Sequence, residues 1–187
     1  GDAPARGICG CGLIDLCACL LSRTIVDETG YLENDPYILT GSHQTANGSF
    51  PENATSVCLT QKDIRELQLA KSALRAGLEA LLHSAGMQVR SFTEKGGKVC
   101  IAGGLGYYLD PVNAAGIGLL PPEFLAAPNT VTAVGNTSLA GAVQVLTDPS
   151  ALDRMSVLAK QCTCMELNRS QVFNDGFIEH MLFPCEI

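Results

Sequence analysis

Two glycine turns, each following a short apolar run, are the places where bare backbone could do chemistry. The first lies in Val99-Cys-Ile-Ala-Gly-Gly-Leu-Gly-Tyr-Tyr-Leu-Asp110, with Pro111 after it; the second lies in Val131-Thr-Ala-Val-Gly-Asn136. Runs such as Val99 to Ala102 and Val131 to Val134, with β-branched members, fit strands buried on both faces of a parallel sheet. Gly103 and Gly104 in the first turn allow positive φ and let a flat ligand reach the main chain, and Gly135 beside Asn136 repeats the glycine turn after the second run. In open α/β sheets ligands collect beyond the carboxyl ends of the strands. The competing reading is a pair of tight turns that simply need glycine.

A second group of polar residues is set by helical spacing. Thr60-Gln-Lys-Asp63 has the form of a capping box, and Ile64, Leu67, Ala70, Leu74, Leu78 and Leu81 recur at steps of three or four, which predicts a long helix with one buried stripe. Gly86 ends it. Gln68, Lys71, Ser72, Arg75 and Glu79 run along another side of the same helix. This polar line reads either as a solvated face or, because it stands just before the first glycine strand, as the second wall of a nucleotide pocket.

The elements that must position these groups follow from the rest of the chain. Gly7 to Leu13 is a glycine-spaced loop leading into an apolar helix over Leu13 to Ser22; it would bind an anion at the helix amino end or serve as a close-packed turn. Residues 24–59 are polar and rich in glycine and proline, which predicts an irregular excursion outside the core, with short strands near Tyr37 to Thr40 and Ser56 to Leu59. Asp110-Pro111 opens a short helix. Further helices are expected over Ala151 to Lys160 and after Ser170, where Phe173, Phe177 and Met181 share a face, with a last strand at Cys164 to Leu167. Strands alternate with helices, so the fold class is α/β with a mainly parallel or mixed sheet.

Composition narrows the function. The 187 residues suffice for one unit, and a net charge of −7 leaves no basic stripe for nucleic acid or an anionic membrane. The apolar stretch around Leu13 to Leu21 is too short to span a bilayer. Nine cysteines, several within apolar runs, act as small hydrophobes and point to a reducing, cytoplasmic setting. None of the Cys-x-Cys pairs has zinc-ribbon or ferredoxin spacing, so no metal ligands are assigned. The opening Gly-Asp-Ala-Pro-Ala-Arg lacks an initiator Met and reads as the start of an excised piece.

Four blocks together resemble a known family: Gly-Ile-Cys-Gly-x-Gly-Leu-Ile-Asp at Gly7 to Asp15, Gln-Lys-Asp-Ile-Arg-Glu-Leu-Gln-Leu-Ala-Lys at Gln61 to Lys71, Ala-Gly-Gly-x-Gly at Ala102 to Gly106, and Val-Gly-Asn at Val134 to Asn136. They are similar to the carboxyl-terminal region of reductive activators of corrinoid-dependent proteins. Those belong to the ASKHA superfamily of acetate kinase, sugar kinases, Hsp70 and actin. The resemblance implies a ribonuclease-H-like, actin-like ATPase lobe over residues 1–187, part of a larger protein that uses ATP with Mg. It further implies that Gly103, Gly104 and Gly106 pack on the adenosine, that Gly135 and Asn136 stand at the lobe hinge, and that Gln68, Lys71, Ser72 and Arg75 face the nucleoside. Neither Asp-x-Gly phosphate loop of the superfamily occurs in the chain, so no catalytic residue is assigned and the piece alone is not expected to turn over ATP.

The whole activator would drive an electron from an iron-sulfur cluster, held in an upstream domain, to an inactive Co(II) corrinoid. The implied partners are a corrinoid protein and an upstream lobe of the same polypeptide, with a homodimer left open. Two alternatives stand beside this: an ATPase activator of a radical dehydratase, with Cys9 as a ligand to a shared cluster, and a non-enzymatic interaction module in which the glycines only turn the chain.

Overall fold

A computed structural model describes residues 6–40 and 56–185, and shows small sheets flanked by helices. Helix α1 (Gly10–Ser22) starts three residues earlier than its apolar run, because the Cys9 sulfur accepts a hydrogen bond from the Gly12 amide and caps it. This helix is apolar nearly all round, as a helix inside a core must be. Its Ile14, Cys17, Ala18, Leu20 and Leu21 join Ala114, Ile117, Leu119, Leu120 and Phe183 in one cluster.

Strands β1 (Tyr37–Thr40) and β2 (Val57–Leu59) pair antiparallel, with Tyr37 opposite Leu59. Of the predicted excursion over 24–59, residues 41–55 lie outside the described residues. The remainder is not peripheral: Val26, Leu32 and Leu59 belong to the main core, because this polar stretch delivers single apolar side chains into it.

Helix α2 (Gln61–Ser84) opens with the expected capping box, in which the Thr60 hydroxyl accepts from the Asp63 amide and the Asp63 carboxylate accepts from the Thr60 amide. Its buried face differs from the expected stripe. Ile64 and Leu67 are buried, but Ala70, Leu74 and Leu81 are exposed, and burial passes to Gln68, Lys71, Ser72, Ala76, Gly77 and Ala80. The cause is α8 (Gln171–Glu179), which lies so close along α2 that small residues must line the contact; a Cβ on Gly176 would stand 3.3 Å from that of Ala76.

Between them run α3 (Val89–Glu94), β3 (Val99–Ala102), α4 (Gly104–Tyr107), α5 (Pro111–Gly116), β4 (Val131–Gly135), α6 (Thr137–Thr147) and α7 (Ala151–Gln161). Strands β3 and β4 pair parallel, Val99 with Val131 through Ala102 with Gly135. Among the described residues the strands form two separate pairs, one parallel and one antiparallel, where a mainly parallel or mixed sheet was expected. Nor are β3 and β4 buried on both faces: Ile101 and Val131 pack on the core while Cys100 and Val134 are exposed. The strand expected at Cys164 to Leu167 is absent. Cys162 to Cys164 are exposed, and Leu167 begins a 3-10 turn and lies against Gly77 of α2.

Candidate functional site

The parallel pairing of β3 and β4 brings both glycine turns to one end of the sheet. The Gly103 amide donates to the Gly135 carbonyl at 2.8 Å, so the turns are joined through their own backbone. Gly103 has φ +94° and Gly135 φ +72°, conformations open to glycine and strained for other residues. A Cβ at Gly103, Gly104 or Gly135 would meet nothing within 4 Å. Glycine at 103 and 135 therefore answers a conformational need, and the backbone there forms an open floor.

Gly106 has another reason for being glycine. A Cβ there would come within 2.4 Å of the Ile101 side chain and 3.1 Å of its backbone, so Gly106 lets α4 close down on β3. Asn136 caps α6, its Oδ1 accepting from the Leu139 amide at 3.0 Å. On the far side of the first turn, Asp110 caps α5 through the Val112 amide. The Asn113 amide group then donates to Asp15 of α1 at 2.7 Å. The floor is thereby tied to the core helix.

Gln68, Lys71 and Ser72 form a different constellation. They are 1 %, 1 % and 0 % exposed, which rules out the solvated face, and their donors reach main-chain carbonyls. Gln68 Nε2 donates to Thr29 at 3.0 Å and Met181 at 2.9 Å, while its Oε1 accepts from Arg65. Lys71 Nζ donates to His180 at 2.6 Å and Leu182 at 2.7 Å and stands 4.9 Å over the Phe183 ring. Ser72 Oγ donates to the Phe177 carbonyl. Apart from that of Thr29, these carbonyls lie at the last turn of α8 and just beyond it, where a helix leaves acceptors without intrahelical partners. Arg75 bonds Glu79 at 2.6 Å, and the other Glu79 oxygen lies 2.8 Å from His180 Nε2. No hydrogen bond among the described residues joins this set to the glycine floor. Lys71 and Arg75 do line a cavity of about 300 Å³ with Gly118, His180, Phe183 and Pro184.

The electrostatics follow from burial. Loss of water pulls the Lys71 ammonium down to about 8, against the opposing pull of Cys17. Burial pushes the Cys17 thiol up to about 12, with Lys71 working the other way. For Glu79, burial favours the neutral acid, but the hydrogen bonds from His180 and Arg75 outweigh it and hold the carboxyl below its ordinary value. The periodicity of α2 could not reveal this constellation; the one hint was that its polar residues keep helical spacing.

Among the described residues no three His, Cys, Asp or Glu side chains gather so as to hold a metal ion, and no helix is long and apolar enough to cross a membrane.

Residues 1–187 match the family described as the C-terminal domain of RACo, the ASKHA domain. The corrinoid activation enzyme RamQ of Eubacterium limosum is 27 % identical over 201 residues, covering 98 % of this chain and 32 % of that protein. The [Co(II) methylated amine-specific corrinoid protein] reductase of Methanosarcina barkeri is 26 % identical over 176 residues, 93 % of this chain and 28 % of that one. The solved structure of a reductive activator for corrinoid, iron-sulfur protein superposes with a TM-score of 0.78 at 30 % identity, over 95 % of this chain and 28 % of its own. The chain thus spans about a third of the length of the curated relatives it matches.

Proposed function

Since the chain belongs to the family of C-terminal ASKHA domains of RACo, we propose that it is the nucleotide-binding back part of an ATP-dependent activator of a corrinoid protein. The observation that carries this reading is the glycine floor. Two turns at the carboxyl ends of a parallel strand pair are bonded to each other through Gly103 and Gly135 and are free of side-chain bulk. That is where an α/β sheet admits a flat ligand. The names of the relatives support the partner, since a Co(II) corrinoid protein is the stated substrate of one of them.

In this proposal the residues of the chain bind and orient; they do not cleave. Gly103, Gly104 and Gly135 offer backbone to the base and ribose, Gly106 and Asn136 hold those turns in place, and Lys71 and Arg75 line a separate cavity at the end of α8. Gln68 is spent on the Thr29 and Met181 carbonyls and Ser72 on that of Phe177 in the last turn of α8, so both would support the nucleoside wall only indirectly. Phosphoryl transfer needs groups that neutralise charge on the phosphates and place a water, and a floor of glycine supplies neither. Residues 1–187 would act as one lobe, closing with an upstream lobe on ATP and Mg. ATP hydrolysis would supply the free energy for electron transfer from an iron-sulfur cluster elsewhere in the activator to the Co(II) corrinoid, and nucleotide would act on this chain by binding one lobe arrangement more tightly than another.

Calorimetry of the chain with adenosine, AMP, ADP and ATP tests this. Similar weak affinities for all four, with no phosphate release from ATP, are expected. A flat response to every nucleotide would leave the interaction module as the better account. Robust phosphate release would contradict the division of labour.

A further inference from the structure

We propose that the cavity at the end of α8 is a binding site for a small carboxylate with a short apolar tail, held by Lys71 and Arg75. No residue of the glycine floor lines this cavity, so the site is separate from the one offered to the nucleotide.

Two observations meet here. The first is a buried cation without a counter-ion. Lys71 is 1 % exposed, and the groups that act on its ammonium are neutral or of like charge. It donates to the carbonyls of His180 and Leu182 and stands over the Phe183 ring. The Cys17 thiol near it stays protonated to about 12, and the Arg75 guanidinium repels it. Among the described residues no carboxylate lies within ion-pair distance of it. A charge taken out of water is costly unless an opposite charge answers it, and loss of water accordingly pulls this ammonium down to about 8. The second observation is the space beside it, a cavity of about 300 Å³. Gly118 helps to keep that space clear: its φ is +77°, and a Cβ there would stand 3.3 Å from the Pro184 ring and 3.5 Å from Lys71 Nζ.

The lining selects the ligand. Lys71 offers a point charge and Arg75 a planar fork. Arg75 Nε is bonded to Glu79, but its two terminal nitrogens make no hydrogen bond among the described residues. They are the paired donors that fit the two oxygens of a carboxylate. Leu182, Phe183 and Pro184 add an apolar wall, which suits a hydrocarbon tail better than a hydrated inorganic ion. Glu179 and His180 line the same cavity. Glu179 is exposed, so solvent and salt screen its repulsion of an anion, and the His180 ring is engaged by Glu79.

The test titrates isobutyrate, acetate, inorganic phosphate and ADP into the full chain at constant ionic strength, with chloride as the balancing anion. Binding is followed by calorimetry and by NMR of lysine side chains labelled with carbon-13. Isobutyrate should bind saturably and more tightly than acetate. It should also raise the pH at which the Lys71 signal titrates, from about 8 upward, because the anion binds the charged amine. Arg75→Met keeps much of the aliphatic stem and should weaken isobutyrate about ten- to a hundredfold, the loss of a hydrogen bond between charged groups; Arg75→Lys, which keeps the charge and loses the fork, serves if the Met variant does not fold. An unmoved Lys71 titration in wild type, or isobutyrate binding no stronger than chloride, would overturn the proposal. Phosphate binding more tightly than isobutyrate would overturn the carboxylate assignment, and undiminished affinity in a folded Arg75→Met would overturn the role of Arg75. Displacement of isobutyrate by ADP would overturn the separateness of the site, since the cavity would then belong to the nucleotide. Isobutyrate binding with no response to ADP would support the carboxylate site and count against the nucleotide reading alone.

Discussion

Burying Lys71 as a cation beside the Cys17 thiol has a measurable consequence for stability as a function of pH. The folded-state value of Lys71 is about 8, against an ordinary 10.5. Between those values the unfolded chain binds more protons than the folded one, so stability rises with pH, by at most about 1.4 kcal/mol per pH unit. Over the whole interval of about 2.5 units this amounts to about 3 kcal/mol. Cys17 works in the opposite sense. Its thiol stays protonated in the fold to about 12 but has an ordinary value of 9.0, so above pH 9 the folded chain binds more protons and stability falls with the same limiting slope. The two slopes cancel where they overlap. From these two groups the profile should climb by about 1 kcal/mol between pH 8 and 9, stay level to about 10.5, and decline beyond. Urea denaturation of wild type, Lys71→Met and Cys17→Ala under reducing conditions, at half-unit steps from pH 7 to 11, isolates each contribution as a difference between curves. Cys17→Ala should convert the plateau into a continued climb, and the wild-type climb between pH 8 and 9 should vanish in Lys71→Met. If the difference between wild type and Lys71→Met is flat from pH 8 to 10.5, Lys71 is not held as a buried cation under the segment after α8, and the account of that interface is wrong.

The glycine floor separates a need for conformation from a need for space. Gly103→Ala should cost about 1–3 kcal/mol of stability because of its φ of +94°, whereas Gly104→Ala, with ordinary φ and open surroundings, should stay within about 0.5 kcal/mol in the same denaturation assay. Thr60→Ala removes the hydroxyl that caps α2 and should lower stability by about 1 kcal/mol, read from the urea midpoint. Gly176→Val drives a branched side chain into Ala76 and should destabilise by about 1–3 kcal/mol, with near-ultraviolet circular dichroism reporting whether α8 stays docked.

The features legible in the sequence were those that a few neighbouring residues decide. The capping box at Thr60, the Asp110-Pro111 helix start and both glycine turns depend on local backbone chemistry, and the structure has each of them. The pairing of the two turns was implied only by the repeat of one design after two strands. The buried face of α2 was misread for a reason periodicity cannot detect. Apolar spacing ranks residues by their dislike of water, yet Leu74 is exposed and Lys71 buried, because the neighbour along that face is a helix end with carbonyls to satisfy. Similarly, Val26, Leu32 and Leu59 lie in polar surroundings in sequence and in the core in space, since burial there is decided one side chain at a time.

That inversion bears on how the proposed site would work. An amine buried among carbonyls is held by directional bonds, and removing its partners would leave a desolvated charge, so the segment from Phe177 to Leu182 has little freedom to leave α2. The same rigidity reaches the cavity at Lys71 and Arg75, which Gly118, close after α5, also lines; a Cβ there would stand 3.5 Å from Lys71 Nζ. Helix α5 is in turn tied to α1 by the Asn113–Asp15 bond and begins a few residues beyond the first glycine turn. Floor and core helix are therefore linked through hydrogen bonds, and the carboxyl-terminal segment meets the end of α5 through packing of Gly118 on Pro184 and Lys71. A ligand that shifts the floor should move them together rather than loosen one of them, which is what a lobe needs if nucleotide binding is to bias the position of the whole domain. Hydrogen exchange with and without ADP tests this directly: protection should change in concert at α4, α5 and α8, and a change confined to α4 would show that the floor is mechanically isolated.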